Sequence, residues 1–372
     1  MITKLSILNF KSISKADITV SNLNLFTGLN ASGKSTVLQS LLLLRQSFQN
    51  GYFSRTKKGI FLGNTDSFIN LGTYRDVFSQ NAPANESLFI SINTKEREFS
   101  FKCQAYNSGD KDAPVIPGSL TTNIPDLEAL SLFSNRFQFL AADRISPQVD
   151  YPRFESDEQL GKDGRFTPHF LEKNANKPIA LKKLMHEKSE EDDDTLIAQV
   201  NYWMRDISPN IQIQTKENLN TNKIELSYRY LTDSGVPTQD RKPQNVGYGI
   251  TPTLPILVAL LSAKSGDLII IENPETHVHP KGQSRIAMLL ARAANEGVQI
   301  LIESHSDHIL NGIRVATKKG LIDASNVCIN FFTRSSDEIS SIQKLNLDSQ
   351  GRIDLWPKGF FDEWDNMLDE LI

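Results

Sequence analysis

The sequence predicts an α/β fold, with a mixed or parallel sheet flanked by helices and a mainly helical insertion. From residue 223 onwards, apolar strand patterns alternate with helical patterns, which is typical of a parallel sheet whose faces are covered. Near the start of the chain, a short apolar strand runs through a glycine-rich turn into a long apolar helix over residues 34–48. These two observations together favour a doubly wound core.

Composition excludes several classes of protein. The chain has 372 residues, 39% hydrophobic and 23% charged, which suits two domains or one large domain with an insertion. A net charge of -4 gives no general basic character for nucleic acid, although a local basic groove is compatible with it. Cys103 and Cys328 lie too far apart in sequence to suggest a disulfide framework. Without a signal-like start or an apolar run near ~20 residues, we expect a cytoplasmic protein with no membrane contact.

Changes of pattern divide the chain into four predicted parts. They are an N-terminal lobe with a strand-rich segment (1–150), a mainly helical insertion (151–222), a C-terminal lobe (223–335) and an extension ending in a helix (336–372). The N-terminal lobe has predicted strands at 5–10, 16–20, 23–27, 86–92 and 137–142, and a predicted surface loop at 104–126. The C-terminal lobe has predicted strands at 224–230, 267–271 and 298–302 and helices at 251–263, 280–295 and 307–318.

The segment from Gly28 to Ser35 has the pattern of a phosphate-binding loop, G-x-x-x-x-G-K-S. Glycines allow backbone N–H groups to turn around phosphate oxygens, and the following helix adds the positive end of its dipole. Lys34 is predicted to reach the β- and γ-phosphates of ATP, and Ser35 to coordinate Mg²⁺. The other predicted nucleotide contacts are Gly28, Asn30, Ala31, Ser32 and Gly33 of this segment and Thr36, which follows it.

A second motif lies at the end of the predicted strand 267–271, where Glu272, Asn273 and Glu275 follow four apolar residues. In a Walker B motif, a buried strand delivers one carboxylate to the shell of Mg²⁺ and a second one that orients the attacking water. We predict that Glu272 serves the metal. Asn273 occupies the second place, where an amide can hold water but cannot take its proton, so Glu275 is the candidate base.

Histidines near the strand ends have two possible roles. His305 follows the strand 298–302 at the edge where open α/β sheets bind ligands, and we predict a contact with the γ-phosphate or the attacking water. Asp307 could cap the next helix or join the same water network. His277 and His279 match no strong zinc pattern, so we expect them to pack in their loop rather than to bind metal.

The order of these motifs resembles the ABC-type (AAA) ATPases of the SMC/RecF/OLD group. The C-terminus further resembles a bacterial branch of that group with an uncharacterised C-terminal domain. The residues that carry the resemblance are 8–13 (LNFKSI), the phosphate loop, 245–250 (NVGYGI), 272–275 (ENPE), 304–307 (SHSD) and 356–365 (WPKGFFDEWD).

The resemblance implies a homodimer in which two ATPase heads sandwich two ATP molecules. Each ATP would then touch the phosphate loop of one copy and a signature turn of the other, here Gly247, Tyr248 and Gly249 at the start of a helix. Pro252 fits an early helix position. About 240 residues separate the two ATP motifs, without the heptads of an SMC coiled coil. The aromatic and apolar residues 360–368 follow helical spacing, for packing on the ATPase or on a partner.

Three functions remain open on the sequence. The first is an ATPase switch in bacterial defence against phage or foreign DNA that acts through a separate nuclease or toxin. The second is a RecF-like DNA-repair ATPase, for which the basic clusters 55–58 and 318–319 are candidate DNA contacts. The third is an ATP-binding scaffold with little hydrolysis, which Asn273 keeps open.

Overall fold

The computed structural model describes residues 1–54, 56–121, 124–154 and 159–371, with side chains for all of them except 124, 125, 364 and 365. The described strands are β1 (Lys4–Phe10), β2 (Ile13–Thr19), β3 (Leu23–Gly28), β4 (Gly59–Phe61), β5 (Phe89–Asn93), β6 (Glu98–Cys103), β7 (Val115–Leu120), β8 (Phe137–Leu140), β9 (Asp150–Pro152), β10 (Ile211–Asn218), β11 (Lys223–Tyr230), β12 (Leu268–Glu272), β13 (Gln299–Glu303), β14 (Val327–Arg334) and β15 (Ser340–Leu345). The described α-helices are α1 (Lys34–Gln49), α2 (Tyr74–Val77), α3 (Ile124–Glu128), α4 (Thr167–Asn174), α5 (Leu196–Ile207), α6 (Ile250–Leu261), α7 (Pro280–Asn295), α8 (Asp307–Lys318) and α9 (Glu363–Leu371).

The chain forms two compact units. The first comprises Met1–Phe137, Val327–Leu347 and Ile353–Ile372, and the second comprises Gln138–Asn326 and Asp348–Arg352. In the part of the chain that the structure describes, no helix is long and apolar enough to cross a membrane.

The first unit contains an antiparallel sheet in the order β2-β1-β5-β6-β7-β4. Alternate residues of β1 are buried, including Leu5 and Ile7, as the period-two pattern of a half-buried strand predicts. The same unit holds β3, which pairs parallel to β14 over residues 23–28 and 327–332, while β15 pairs antiparallel to β14. The predicted strand 23–27 is therefore confirmed, and it leads directly into the glycine loop and α1.

The second unit contains the parallel pair β12 and β13, and β12 lies between β13 and β8 in the strand order. Both strands are mainly apolar and buried, and they end at the register partners Glu272, which is half-buried, and Glu303, which is buried. Helices α7 and α8 follow these strands and pack on each other, so the predicted strand–helix alternation is confirmed. Two acids thus lie side by side at the carboxyl edge of the pair.

Residues 151–222, the predicted insertion, include α4 and α5 but also β9 and β10. The helix α5 packs on α6 and α7, and β10 and β11 form an antiparallel pair with β9 at its edge. Residues 155–158 lie outside the described residues. The four predicted domain boundaries stay predictions.

The prediction of a surface loop over residues 104–126 is wrong in part, because it contains β7. This strand pairs with β4 on one side and β6 on the other, and Ile116 is buried. Pro117 and Gly118 hid the strand in the sequence. Glycine is required there by its neighbour, since a Cβ at Gly118 would lie 2.5 Å from the carbonyl oxygen of Lys102.

Candidate functional site

The loop that begins at the end of β3 has a backbone conformation that requires glycine at two positions. Gly28 and Gly33 have φ angles of 139° and 101°. A Cβ at Gly28 would lie 2.2 Å from the backbone oxygen of Phe332, and one at Gly33 would lie 2.3 Å from Oγ of Ser340. Ala31 between them also has a positive φ, 60°. Both glycines of the predicted pattern are therefore required by the fold, and a loop of this kind turns its backbone amides inward.

Helix α1 begins at Lys34 with Gly33 as its N-cap, and no side chain caps its first turn or places an acid there. Its N–H groups and dipole make this end favourable for an anion. Two cations lie at the loop: Nζ of Lys34 donates to the carbonyl of Leu29 at 2.7 Å, and Arg334 donates to the carbonyl of Ala31 at 3.3 Å. Donors and positive charge thus concentrate on one loop.

The predicted nucleotide contacts of this loop differ in exposure. Asn30 and Ala31 are exposed, Gly33 and Ser35 are half-buried, and Ser32, Lys34 and Thr36 are buried. The Oγ atom of Ser32 donates to the Leu29 carbonyl at 2.7 Å, the same acceptor that Lys34 uses. The Leu29 carbonyl is therefore a neutral acceptor for Lys34, and a stronger anionic acceptor could replace it.

Glu272 ends β12, and one of its carboxylate oxygens accepts a hydrogen bond from the Ala142 N–H at 3.1 Å. Burial raises the pKa of Glu272 to about 6. The hydrogen bond from Ala142 opposes this rise, whereas the carboxylate of Glu303 adds to it. A buried carboxylate beside a second one favours a nearby cation. Glu303 did not stand out in the sequence, because only the parallel register places it beside Glu272.

Asn273 follows with a φ of 44°, in the left-handed region. Asn enters this region more readily than Glu does, because its short side chain can bond to the local backbone. Its N–H donates to the Glu303 carbonyl at 2.8 Å, and its own carbonyl accepts from the N–H and the hydroxyl of Thr276. The turn therefore disfavours Glu at this position.

Glu275 connects the acidic strand end to the segment after β13. One oxygen of its carboxylate accepts from the hydroxyl of Ser304 at 2.9 Å, and the other accepts from the backbone N–H of His305 at 2.8 Å. Two of the predicted catalytic residues, Glu275 and His305, are thus brought together in the second unit. The side chain of His305 is exposed. Of the two roles open for Asp307, the capping role belongs to its neighbour Ser306, which accepts from the N–H groups of His308 and Ile309.

Arg144, which sequence reasoning missed, lies just after β8 and is only 7% exposed. Its guanidinium donates to the carbonyls of Glu272 and Asn273 at 2.6 and 2.7 Å. Burial lowers its pKa to about 10, and the charge of Glu275 is the first of those that oppose this change. The only signal in the sequence was a charged Asp-Arg pair at the end of a predicted strand.

The predicted signature turn lies at the start of α6. Gly249 is the N-cap of this helix, and a Cβ there would lie 2.0 Å from the carbonyl oxygen of His277. Tyr248 is 52% exposed, and its ring meets the ring of His277 edge-on at 4.7 Å between centroids. Pro252 is the third residue of α6, in agreement with an early helix position. The exposed ring of Tyr248 and Gly247 thus lie at the start of a helix. The ring contact with Tyr248 agrees with the packing role that the sequence predicts for His277.

Among the described residues, the group with metal-ligand spacing is His186, Glu187 and Asp206, which does not include His277 or His279. Arg285 already binds two of its members, Asp206 at 2.6 Å and Glu187 at 2.5 Å. A bound arginine and a cation compete for the same oxygens. We therefore assign this group to ion pairing within the second unit.

The lysines that the structure describes in the two basic clusters are exposed, and their role as DNA contacts stays a prediction. Arg55 lies outside the described residues, and Nζ of Lys57 lies over the ring of Tyr52 at 5.7 Å. Lys318 and Lys319 end α8 on the surface, where cations commonly stabilise a helix C-terminus.

Solved SMC heads share this fold. An SMC head domain from Thermotoga maritima matches with a TM-score of 0.50 at 13% identity, covering 93% of this chain and 99% of that one. An SMC head bound to the C-winged helix domain of ScpA matches with a TM-score of 0.51 at 14% identity, covering 93% and 98%. An SMC head with an extended coiled coil, bound to the C-terminal domain of ScpA derived from Pyrococcus furiosus, matches with a TM-score of 0.52 at 13% identity, covering 100% and 99%. The predicted fold of an ABC-type P-loop ATPase head is confirmed.

No curated protein matches the chain. Two family models match the sequence. One, described as a protein of unknown function (DUF3696), matches residues 322–371. The other model, described as "AAA domain, putative AbiEii toxin, Type IV TA system", matches residues 23–311, which include the phosphate loop, the acidic strand end and His305. By this match and its fold, the chain belongs to the family of AAA ATPase domains that this model describes.

Proposed function

We propose that this chain binds and hydrolyses ATP with Mg²⁺, and that ATP joins two copies into a dimer that acts as a switch. The observation that carries the proposal is the loop from Gly28 to Ser35. Both of its glycines have positive φ and no room for a side chain, and the helix that follows has an uncapped first turn. Such a loop is suited to a polyphosphate.

Each residue has a proposed task. Lys34 exchanges its bond to the Leu29 carbonyl for one to the β- and γ-phosphates, which are stronger acceptors. Ser35 and Glu272 take part in the shell of Mg²⁺, which prefers hydroxyl and carboxylate oxygens. Bound Mg²⁺ would neutralise charge on the phosphates. Glu275 and His305 are proposed to orient the attacking water, and Asn273 is proposed to hydrogen-bond to the same water.

The substitution Glu275→Gln tests the proposed role of Glu275 in orienting the attacking water. Glu275→Gln keeps an oxygen to accept from the His305 N–H, and its amide can donate to the Ser304 hydroxyl. Only the negative charge is lost. We expect phosphate release to fall by roughly 100-fold, the usual contribution of a general base, while ATP binding is retained.

Lys34→Ala serves as the binding control. Loss of charge-assisted bonds to phosphate should weaken ATP binding by roughly 10- to 100-fold. Both variants and the wild type are compared by steady-state phosphate release and by titration with a fluorescent ATP analogue. Wild-type turnover by Glu275→Gln would refute the catalytic assignment. Binding without turnover in the wild type would favour the scaffold function, for which Asn273 is the supporting feature.

The dimer is proposed from the turn at Gly247, Tyr248 and Gly249, which would contact the nucleotide of a second copy and whose first two residues are exposed. The Glu275→Gln variant should accumulate in the ATP-bound state. Light scattering of this variant with ATP is therefore expected to give twice the monomer mass. Tyr248→Ala should lower the dimer fraction without changing the stability, since the ring is half exposed. A monomer mass at saturating ATP would contradict the sandwich.

A role in defence through a separate effector, either a nuclease or a toxin, is proposed on the family description, which names a toxin of a Type IV TA system. Purification of the native complex followed by mass spectrometry would identify such a partner. DNA binding is the second candidate. It predicts salt-dependent affinity for duplex DNA, because phosphate contacts release counterions. If the purified complex contains no DNA and the protein has no affinity for duplex DNA, the DNA-binding function is contradicted and the effector function remains.

A further inference from the structure

Arg144 makes an unusual set of contacts for a buried cation. Besides the carbonyls of Glu272 and Asn273, its guanidinium donates to the carbonyl of Ala141 at 2.9 Å and to that of Pro252 at 3.1 Å. The four acceptors belong to three segments, the end of β12, the first turn of α6 and the residues after β8. Burying a guanidinium is costly unless its donors are satisfied, so this group holds the three segments in one arrangement.

The first turn of α6 lacks one of the backbone hydrogen bonds that a regular helix has. Pro255 lies inside α6, where it has no N–H to donate and its ring crowds the carbonyl four residues earlier. Arg144 binds the next carbonyl, that of Pro252, through Nε. The hydroxyl of Thr253 donates to the carbonyl of Gly249 at 2.6 Å and fixes the preceding turn. The position of Gly249 therefore depends on a helix start that Arg144 anchors.

The acidic end of β12 depends on the same residue. Arg144 binds the carbonyl of Glu272, and the neighbouring Ala142 N–H binds its carboxylate. A shift of Arg144 would therefore move the backbone and the side-chain partner of Glu272 together. A one-ångström displacement of a reacting group can cost about 100-fold in rate, so this coupling has consequences for hydrolysis.

We propose that Arg144 is a positioning residue that couples the acidic end of β12 to the signature turn at the start of α6. This inference rests on the proposed ATP-bound dimer, in which Glu272 serves the nucleotide of its own copy and the turn at Gly247–Gly249 serves the nucleotide of the other. Arg144 then makes the two ATP sites of the dimer respond to each other, since each copy offers both elements in a fixed relation.

Arg144→Lys tests the coupling, because an ammonium keeps the charge but has three donors on one atom and cannot span four carbonyls. The matched control is Arg45→Lys. Arg45 is also buried, at 3% exposure, and binds two backbone carbonyls, those of Leu132 and Ser134, in the first unit. Both variants lose buried guanidinium bonds, to four carbonyls at Arg144 and to two at Arg45, so a loss of thermal stability is expected in both.

The readouts separate positioning from stability. We expect Arg144→Lys to lower kcat by roughly 10- to 100-fold. It should also reduce the Hill coefficient for ATP towards about 1, with binding of the fluorescent analogue changed by less than about threefold. Arg45→Lys should leave kcat and the Hill coefficient of the folded protein unchanged. If both variants lose stability and neither changes kcat or cooperativity, the positioning role is refuted.

Hydrogen–deuterium exchange without nucleotide tests the coupling independently of ATP. Amides of residues 247–254 and of 272–276 should both exchange at least about tenfold faster in Arg144→Lys, and neither should change in Arg45→Lys. Faster exchange in only one segment, or in neither, would overturn the inference. A wild type that neither hydrolyses ATP nor dimerises would instead refute the proposed function, while the exchange data still decide the coupling.

Discussion

At the scale of single residues, backbone geometry and chemistry make separate demands on the same positions. Gly28 and Gly33 are required because neighbouring strands leave no space for a Cβ. Asn273 lies in a left-handed turn with a φ of 44°, where Glu would be strained by about 1 kcal/mol or more. The turn therefore favours Asn over the Glu that is usual at this place of the motif, and Glu275 carries the nearest described carboxylate further along the same loop.

Gly28→Ala is predicted to destabilise the chain strongly. Its Cβ would meet the backbone oxygen of Phe332, which cannot move without disturbing β14. Gly51→Ala is the matched control, since Gly51 also has a positive φ, 74°, but nothing lies within 4 Å of its Cβ position. Urea unfolding should show a loss of about 1 kcal/mol for the control and at least about 2 kcal/mol more for Gly28→Ala. Equal losses would show that the collision is relieved.

Asn273→Asp is predicted to raise ATP turnover by at least about tenfold, because Asp tolerates a left-handed φ and supplies a carboxylate at the usual place of the catalytic acid. Asn273→Ala is the control for removal of the amide. Phosphate release measured at saturating ATP decides the matter. Turnover no higher than that of the wild type would mean that Asn273 does not limit hydrolysis.

At the scale of elements, the C-terminal helix shows what periodicity can and cannot establish. The predicted helical face at residues 360–368 yields α9, but this helix begins only at Glu363. Its described side chains, those of Glu363 and residues 366–371, are exposed, and the Trp364 side chain lies outside the described residues. Phe360 lies before the helix and is buried against Phe331. Among the side chains that the structure describes, packing on the ATPase is therefore carried by Phe360 before the helix and not by those of α9.

Phe360→Ala is predicted to cost roughly 3–5 kcal/mol in unfolding free energy, because a fully buried ring is removed and a cavity remains. Leu371→Ala, at a side chain that is 82% exposed, should change stability by less than about 0.5 kcal/mol. Both are measured by urea unfolding. Comparable effects of the two substitutions would place the packing contact on α9 after all.

At the scale of the whole molecule, an ion pair in the second unit connects α5, through Asp206, to α7, through Arg285. Burial by itself would raise the pKa of Asp206, but hydrogen bonds from His186 and Arg285 outweigh burial and hold this pKa at about 2. Because the folded pKa is lower than the ordinary value of about 3.9, the contribution to stability is complete above pH ~4. It is lost as the pH falls from there through about 2.

Asp206→Asn should remove this part of the acid sensitivity. We expect the wild type to lose roughly 1–2 kcal/mol of unfolding free energy between pH 5 and pH 2 through this one group, and the variant to lose correspondingly less. Glu191→Gln, at an exposed position before α5, is the control and should follow the wild type. Parallel pH curves for Asp206→Asn and the wild type, measured by urea unfolding, would contradict the assignment.

Much of the molecule follows from short stretches of sequence. The phosphate loop spans eight residues, and its glycines, lysine and helix start act through local backbone geometry, so a local pattern is sufficient to predict them. The apolar strands β3, β12 and β13 and the helices after them were predicted for the same reason, since hydrophobic periodicity reports burial directly.

Tertiary structure decided the rest, because the contacts that complete the candidate site join residues far apart in the chain. The hydrogen bond from Ala142 to Glu272 spans 130 positions, and the one from Arg144 to Pro252 spans 108. Glu275 reaches His305 across 30 positions only because β12 and β13 pair in parallel register. Each of these bonds depends on which strands become neighbours, and the free energy of that choice is distributed over the whole core. A single sequence therefore determines the loop and the acids, while the fold determines what holds them in place.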